Sequence, residues 1–193
     1  KMNVYPGYAN HRADNVLGTR EVLRFAVRGR VMPLHYISSS GVFDSASCWG
    51  RTFTEADLPL HCDGSVTGYT QTKWVAERLV LAARDRGLPV CVHRPPFIMG
   101  HSATGVVALD NLVVKLMAGS LQGGIWPDDP ATVDLAPVDF VSRSVIRLLR
   151  EPSAYGRILH LVPENSPSLG AIGRRLAAAS GYRLDFRTYA QWK

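Results

Sequence analysis

Apolar residues recur at helical spacing in two long stretches of the chain, residues 10–28 and residues 69–86. The apolar positions are Val16, Leu17, Val22, Leu23 and Ala26 in the first stretch, and Val75, Ala76, Leu79, Val80 and Ala83 in the second. A spacing of three to four residues is typical of an amphipathic helix, and the glycines that follow, Gly29 and Gly87, are common just past helix ends. The sequence therefore predicts two helices.

Each of these stretches is followed by a short run with strand character, residues 34–38 and residues 88–93. Both runs are rich in β-branched, aromatic or apolar residues, which predicts buried strands. Alternation of helix and strand indicates a parallel α/β sheet with helices on its faces, and active sites of such sheets lie at the carboxyl ends of the strands. Residues 41–67 lack periodicity and are predicted to form a long functional loop.

The second half of the chain has a looser pattern. It predicts helices over residues 110–118, 138–150 and 168–180, with one strand at 157–162 between the last two. We interpret residues 1–99 as part of a Rossmann-like catalytic domain. Residues 100–193 are predicted to form mainly a smaller substrate-binding lobe, with some return to the sheet.

Composition narrows the class of protein. The 193 residues, 46% hydrophobic and 20% charged, are typical of one globular domain or part of one. No apolar run is long enough for a membrane span, so a cytoplasmic location without membrane association is expected. The net charge of +6 comes from dispersed basic residues without interleaved aromatics, which argues against nucleic-acid binding.

Cysteine and histidine spacing favours neither disulfides nor metal. Cys48, Cys62 and Cys91 are an odd number without a CxxC pair, so reduced thiols are expected. The histidines show no HExxH or paired ligand spacing, and no metal site is predicted.

The chemistry concentrates on Tyr69 and Lys73, which lie four residues apart at the start of the second predicted helix. This spacing places both side chains on one helix face, where an ammonium group is expected to lower the pKa of a phenol. Ser38-Ser39-Ser40 ends the preceding strand, and His93-Arg94-Pro95 ends the following one. Glu77, one turn after Lys73, is expected to face solvent or Arg78. We predict an active site around the Tyr-Lys pair.

Several segments together resemble the extended short-chain dehydrogenase/reductase superfamily, and most closely its thioester reductase branch. That branch comprises the terminal reductase domains of nonribosomal peptide synthetases, polyketide synthases and carboxylic acid reductases. The segments are residues 15–23 (NVLGTREVL), 34–39 (LHYISS), 68–79 (GYTQTKWVAERL), 94–95 (RP), 100–105 (GHSATG) and 136–139 (APVD). The resemblance implies a Rossmann-type sheet with helices on its faces and a reductase activity.

The resemblance also implies roles for individual residues. The active-site hydroxyl falls on Ser39, the proton donor on Tyr69, and the residue that holds the nicotinamide ribose on Lys73. Asn15 matches an asparagine that organises a proton relay. Tyr69, Lys73, Arg94 and Pro95 are expected to bind the cofactor, NADPH with NADH as the alternative. Contact with substrate is expected from Ser40, Gly41, His101 and Ser102.

The family's Gly-rich phosphate-binding turn is not found in this sequence. The GxxG at residues 170–173 comes late and follows no suitable strand, so it is rejected. The expectation is therefore the C-terminal part of the Rossmann-type domain, without its N-terminal Gly-rich βαβ unit.

The resemblance implies reduction of an acyl or peptidyl thioester, carried on the phosphopantetheine arm of a carrier protein, to an aldehyde. A second reduction would give the alcohol. One alternative is a dehydrogenase for a nucleotide sugar or a small carbonyl compound. Another is a noncatalytic fragment or binding module.

Overall fold

The structure, a computed structural model, describes residue 2 and residues 7–60, 63–65 and 67–192. Cys62, which was expected to be a reduced thiol, lies outside the described residues. The chain forms two compact units: unit 1 takes Lys1–Pro96 and Arg143–Leu161, and unit 2 takes Phe97–Ser142 and Val162–Lys193. Unit 1 is therefore interrupted by part of unit 2. No helix within the described ranges is long and apolar enough to cross a membrane.

The helices are α1 (Tyr8–His11), α2 (Gly18–Val27), α3 (Gly68–Arg84), α4 (Leu112–Gly123), α5 (Val138–Leu148), α6 (Leu169–Ser180) and α7 (Tyr189–Trp192). The strands are β1 (Leu34–Ile37), β2 (Val90–Arg94), β3 (Phe97–Met99), β4 (Ile125–Pro127), β5 (Leu135–Pro137), β6 (Ile158–His160) and β7 (Asp185–Arg187).

A π-helical turn, Arg12–Leu17, connects α1 to α2. The predicted helix over residues 10–28 is confirmed, but its π turn was not predicted. Such turns occur frequently at functional sites, because they change which side chains face inward. Here Asn15 and Val16 are the buried residues of the turn.

A parallel sheet with the order β1-β2-β6 forms the centre of unit 1. The central strand, β2, is buried along its whole length, as predicted. The prediction of a buried β1 holds only in part, because β1 has one neighbouring strand among the described residues and its Ile37 is 42% exposed.

Helix α3 lies against this sheet and begins with a capping box. The Thr67 hydroxyl accepts from the backbone N–H of Thr70, and the Thr70 side chain accepts from the backbone N–H of Thr67. Its Val80 and Leu81 join a core cluster that includes Val90, Val92 and Ile158 from the sheet. The predicted second helix and both strands that flank it are confirmed, and the sheet is parallel as expected.

Unit 2 contains two short parallel strand pairs, β3 with β5 and β4 with β7. Trp126 of β4 is 1% exposed and donates its indole N–H to the Leu169 carbonyl at 2.8 Å. Helix α6 approaches this indole through Gly173, where a Cβ atom would lie 2.3 Å from Trp126 Cδ1. The three predicted helices of the second half of the chain are confirmed, with α4 longer than expected, and β6 confirms the strand predicted at residues 157–162. The three-residue strands of unit 2 were not predicted.

Candidate active site

Ser39 lies two residues after the end of β1 and caps the next turn of the chain. Its backbone neighbours continue the pairing with β2, since the Ser38 N–H donates to His93 O at 2.7 Å and the Ser40 N–H donates to Pro95 O at 2.9 Å. The Ser39 Oγ accepts from the Gly41 N–H at 3.1 Å. A Cβ at Gly41 would lie 3.2 Å from that Oγ, so a glycine fits this close approach. The Ser39 hydroxyl is thereby fixed at the carboxyl end of the sheet.

Tyr69 lies in the first turn of α3, close to Ser39. Burial raises the pKa of Tyr69, and hydrogen bonding by the Ser39 side chain opposes part of that shift. The expectation that Lys73 lowers this pKa is therefore wrong for this structure. The phenol keeps its proton at neutral pH, which suits a proton donor.

Lys73 lies one turn further along α3 and reaches back to β1. Its Nζ donates to Ile37 O at 2.8 Å and to Tyr36 Oη at 3.2 Å, and it lies 4.7 Å from the centre of the Tyr36 ring. Burial lowers the pKa of Lys73 to about 8, and the Glu77 carboxylate opposes part of this shift. An ammonium group has three donors, so one remains beyond these two contacts for a cofactor hydroxyl.

Hydrogen bonds continue from Lys73 towards the π-helical turn. Tyr36 lies close to Thr19, whose side chain opposes part of the rise in the Tyr36 pKa, and the Thr19 hydroxyl donates to the backbone carbonyl of Asn15 at 2.7 Å. The Asn15 amide donates to Thr72 Oγ1 at 3.0 Å, which joins the turn to α3. Burial raises the pKa of Tyr36, so this phenol stays protonated within the chain of bonds. The relay role of Asn15 stays a prediction.

Arg94 and Glu77 are placed differently from the predictions. Both side chains are 0% exposed, and Arg94 Nη2 donates to Glu77 Oε1 at 2.7 Å. Glu77 therefore does not face solvent. The guanidinium of Arg94 is enclosed, so the structure does not support its predicted contact with the cofactor. Pro95 is also buried, and its carbonyl accepts the bond from Ser40.

Sequence reasoning missed three further side chains around Tyr69 and Lys73. Tyr36 and Thr19 complete the bonds to Asn15, and only their positions inside the matching segments 34–39 and 15–23 could have indicated them. His11 is 0% exposed and packs edge-on to Tyr69, with ring centres 6.5 Å apart. It belongs to none of the matching segments.

The predicted substrate residues of unit 2 lie in a turn held by Asp139. The Ser102 N–H and hydroxyl each donate to the Asp139 carboxylate at 2.8 Å. These bonds lower the pKa of Asp139. The Ser102 hydroxyl thus orders the loop, while His101 lines an open, mainly apolar groove of about 480 Å³ within unit 2, together with Met99, Val107, Val114 and Met117. A substrate role for His101 and Ser102 stays a prediction, as it does for Ser40 and Gly41 of unit 1.

Three potential metal ligands meet on the other face of the unit 1 sheet. The ligand atoms of His35, Cys91 and His93 lie within 4.8 Å of one another, because these strands pair in parallel register. The two imidazoles already bond to each other at 3.0 Å. Burial lowers the pKa of both rings, that of His93 to about 4. Spacing along the sequence did not indicate this cluster, and the absence of a metal site stays a prediction.

The chain is similar over most of its length to known reductases. A sequence profile described as male sterility protein, an NAD-binding family, matches residues 1–145. A non-canonical nonribosomal peptide synthetase, FrzA of Cladobotryum sp, is 37% identical over 84% of this chain and 16% of its own length. Aldehyde reductase lnbA of Aspergillus flavus is 34% identical over the whole chain and 20% of its own length.

A solved structure of a reductase domain is similar to this chain in both sequence and fold. The terminal R domain from the myxalamid PKS-NRPS biosynthetic pathway is 39% identical and superposes with a TM-score of 0.92, over 100% of this chain and 48% of that one. This chain thus spans about half of that domain and a fifth or less of the two synthetase and reductase relatives. The chain belongs to the male sterility protein family of extended short-chain dehydrogenases/reductases.

Proposed function

We propose that Ser39, Tyr69 and Lys73 provide the proton-transfer side of an active site that reduces an acyl or peptidyl thioester to an aldehyde with NADPH. The observation that carries the proposal is that Ser39 lies near enough to Tyr69 for hydrogen bonding by its side chain to lower the pKa of the phenol, with Lys73 one turn away on the same helix. The similarity to a nonribosomal peptide synthetase and to the R domain of a PKS-NRPS pathway supports a thioester substrate on a carrier-protein phosphopantetheine arm.

A reduced nicotinamide cofactor, when bound, supplies the hydride. The remaining N–H of Lys73 would donate to a ribose hydroxyl, and the family resemblance supports NADPH as the cofactor. Ser39 and Tyr69 donate hydrogen bonds to the thioester carbonyl oxygen, where negative charge develops and such bonds contribute most. Tyr69 then transfers its proton to that oxygen. Collapse of the hemithioacetal releases the carrier thiol and the aldehyde, and a second reduction gives the alcohol.

The proposal is tested with the full-length protein and acyl thioesters on pantetheine and on a carrier protein. NADPH oxidation and oxime-trapped aldehyde measure turnover, and NADH in parallel measures cofactor preference. Tyr69→Phe is expected to lower turnover by at least about 100-fold. Tyr155→Phe, which alters a phenol beside His35 on the opposite sheet face, is the matched control and is expected to retain it.

Two results would contradict the proposal. Turnover of nucleotide sugars without turnover of thioesters would assign the site to the sugar-nucleotide branch. A folded protein that binds no NADPH in a titration would instead identify a noncatalytic binding module.

A further inference from the structure

The Glu77–Arg94 ion pair is completely buried beside the proposed catalytic residues and takes no part in the proposed reaction. Arg94 donates to both Glu77 oxygens, from Nε at 3.1 and 3.3 Å and from Nη2 at 2.7 Å. The hydroxyl of Ser38, itself 4% exposed, donates to Glu77 Oε2. We call these three residues the Glu77 cluster.

Arg94 extends the cluster into the long loop. Its Nη1 donates to the Asp57 carbonyl at 3.1 Å and to His160 Nε2 at 3.2 Å. Its guanidinium also lies 4.7 Å from the ring centre of Phe43, at the end of the turn that Ser39 caps. All these contacts lie within unit 1.

Stability alone is a weak reason for such a cluster. Removing two charges from water costs several kcal/mol, and replacing a buried ion pair with well-packed apolar side chains is often neutral or stabilising. A buried, fully bonded polar cluster can instead select one arrangement of the segments that it joins. The segments joined here are the ones that carry the proposed chemistry.

Two members of the cluster, Ser38 and Glu77, are next to site residues. Ser38 immediately precedes Ser39, and Glu77 lies one helical turn after Lys73. A fixed Ser38 therefore fixes the end of β1 against α3, and with it the approach of Ser39 to Tyr69. Glu77 also opposes the loss of charge by Lys73, since its carboxylate raises the pKa that burial lowers.

We propose that the Glu77 cluster positions Ser39 relative to Tyr69 and Lys73, so that Glu77, Arg94 and Ser38 are positioning residues of the reductase site. This inference rests on the proposed function. A displacement of about 1 Å at reacting groups can lower turnover about 100-fold. Loss of the cluster is therefore expected to lower kcat by about 10- to 100-fold and to change the KM for NADPH little.

The test compares Ser38→Ala and Glu77→Gln in the full-length protein with Glu21→Gln, which makes the same chemical change at an exposed position on α2. Both cluster variants are expected to lower kcat, whereas the control keeps the wild-type value. Glu77→Gln is also expected to lower the pKa of Lys73, measured by NMR of ¹³C-methylated lysine with the signal assigned by Lys73→Arg.

A double variant, Glu77→Met with Arg94→Met, separates positioning from folding. It is expected to recover the melting temperature lost in single variants while kcat stays low, because Ser38 still lacks its acceptor. Recovery of kcat in this variant would overturn the inference. So would a Glu77→Gln protein in which only the melting temperature changes. A wild-type protein that reduces no thioester would refute the proposed function instead, and the Lys73 titration would still test the cluster.

Discussion

The pKa of Lys73 leads to a definite pH dependence of the proposed reaction. Burial brings this pKa from 10.5 to about 8, and the proposed role requires a protonated amine that donates to the cofactor. A single group with that pKa is about 90% protonated at pH 7, half protonated at pH 8 and about 10% protonated at pH 9. We therefore expect kcat/KM for NADPH to fall roughly tenfold between pH 7 and pH 9.

The assay follows NADPH oxidation by the full-length protein from pH 6 to pH 10 at constant ionic strength. The parameter kcat/KM for the cofactor is used because it reports groups of the free enzyme. Lys73→Arg is the matched variant, since a guanidinium stays charged throughout this range. Whatever its absolute rate, this variant is expected to lose the alkaline decline.

A profile that stays flat to pH 10 in the wild-type protein would show that the charge of Lys73 is not required. The same decline in Lys73→Arg would assign it to another group. Either result would remove the argument that Lys73 acts as a cation in this site.

Three further predictions concern single side chains. Tyr69→Phe is expected to lower kcat by about 100- to 10,000-fold with cooperative thermal unfolding retained, and near-normal turnover would contradict its role as proton donor. The pKa of Lys73 is lower in the folded protein than in the unfolded chain, so the unfolded chain binds more protons between pH 8 and 10.5. The free energy of unfolding should therefore rise across this pH range. Lys73→Met should remove that rise in denaturant titrations. Gly173→Ala places a Cβ against Trp126 and should lower the free energy of unfolding by about 1–3 kcal/mol. Gly119→Ala, with open space around it on α4, should raise the free energy of unfolding. Equal melting temperatures of the two variants would contradict the packing at Trp126.

The elements that the sequence predicted well are those with strong local signals. Helix α3 has an apolar face through Val80 and a terminal glycine, and β2 is a continuous apolar run, so both are visible in a short window. The four-residue spacing of Tyr69 and Lys73 fixes their common face as soon as the helix is known. The predicted parallel sheet then brings Ser39, just after β1, near Tyr69 and Lys73 at the start of α3.

The features that were missed depend on contacts distant in sequence. Glu77 was assigned to solvent because unpaired carboxylates are seldom buried. Its partner Arg94 lies on a different element, and neither residue indicates the other by spacing. The π-helical turn at Asn15 has no local signature, and the three-residue strands of unit 2 are too short to show a period of two.

The interruption of unit 1 affects the order in which its sheet can be completed during synthesis. Strand β2 ends at Arg94, but its second neighbour, β6, begins only at Ile158. At typical elongation rates the intervening segment of about 60 residues takes roughly 3–12 s to emerge from the ribosome. During that interval one edge of β2 lacks its partner, and open apolar strand edges are prone to aggregate. The newly made protein therefore passes through a period in which a chaperone that covers this edge would raise the yield of folded chains.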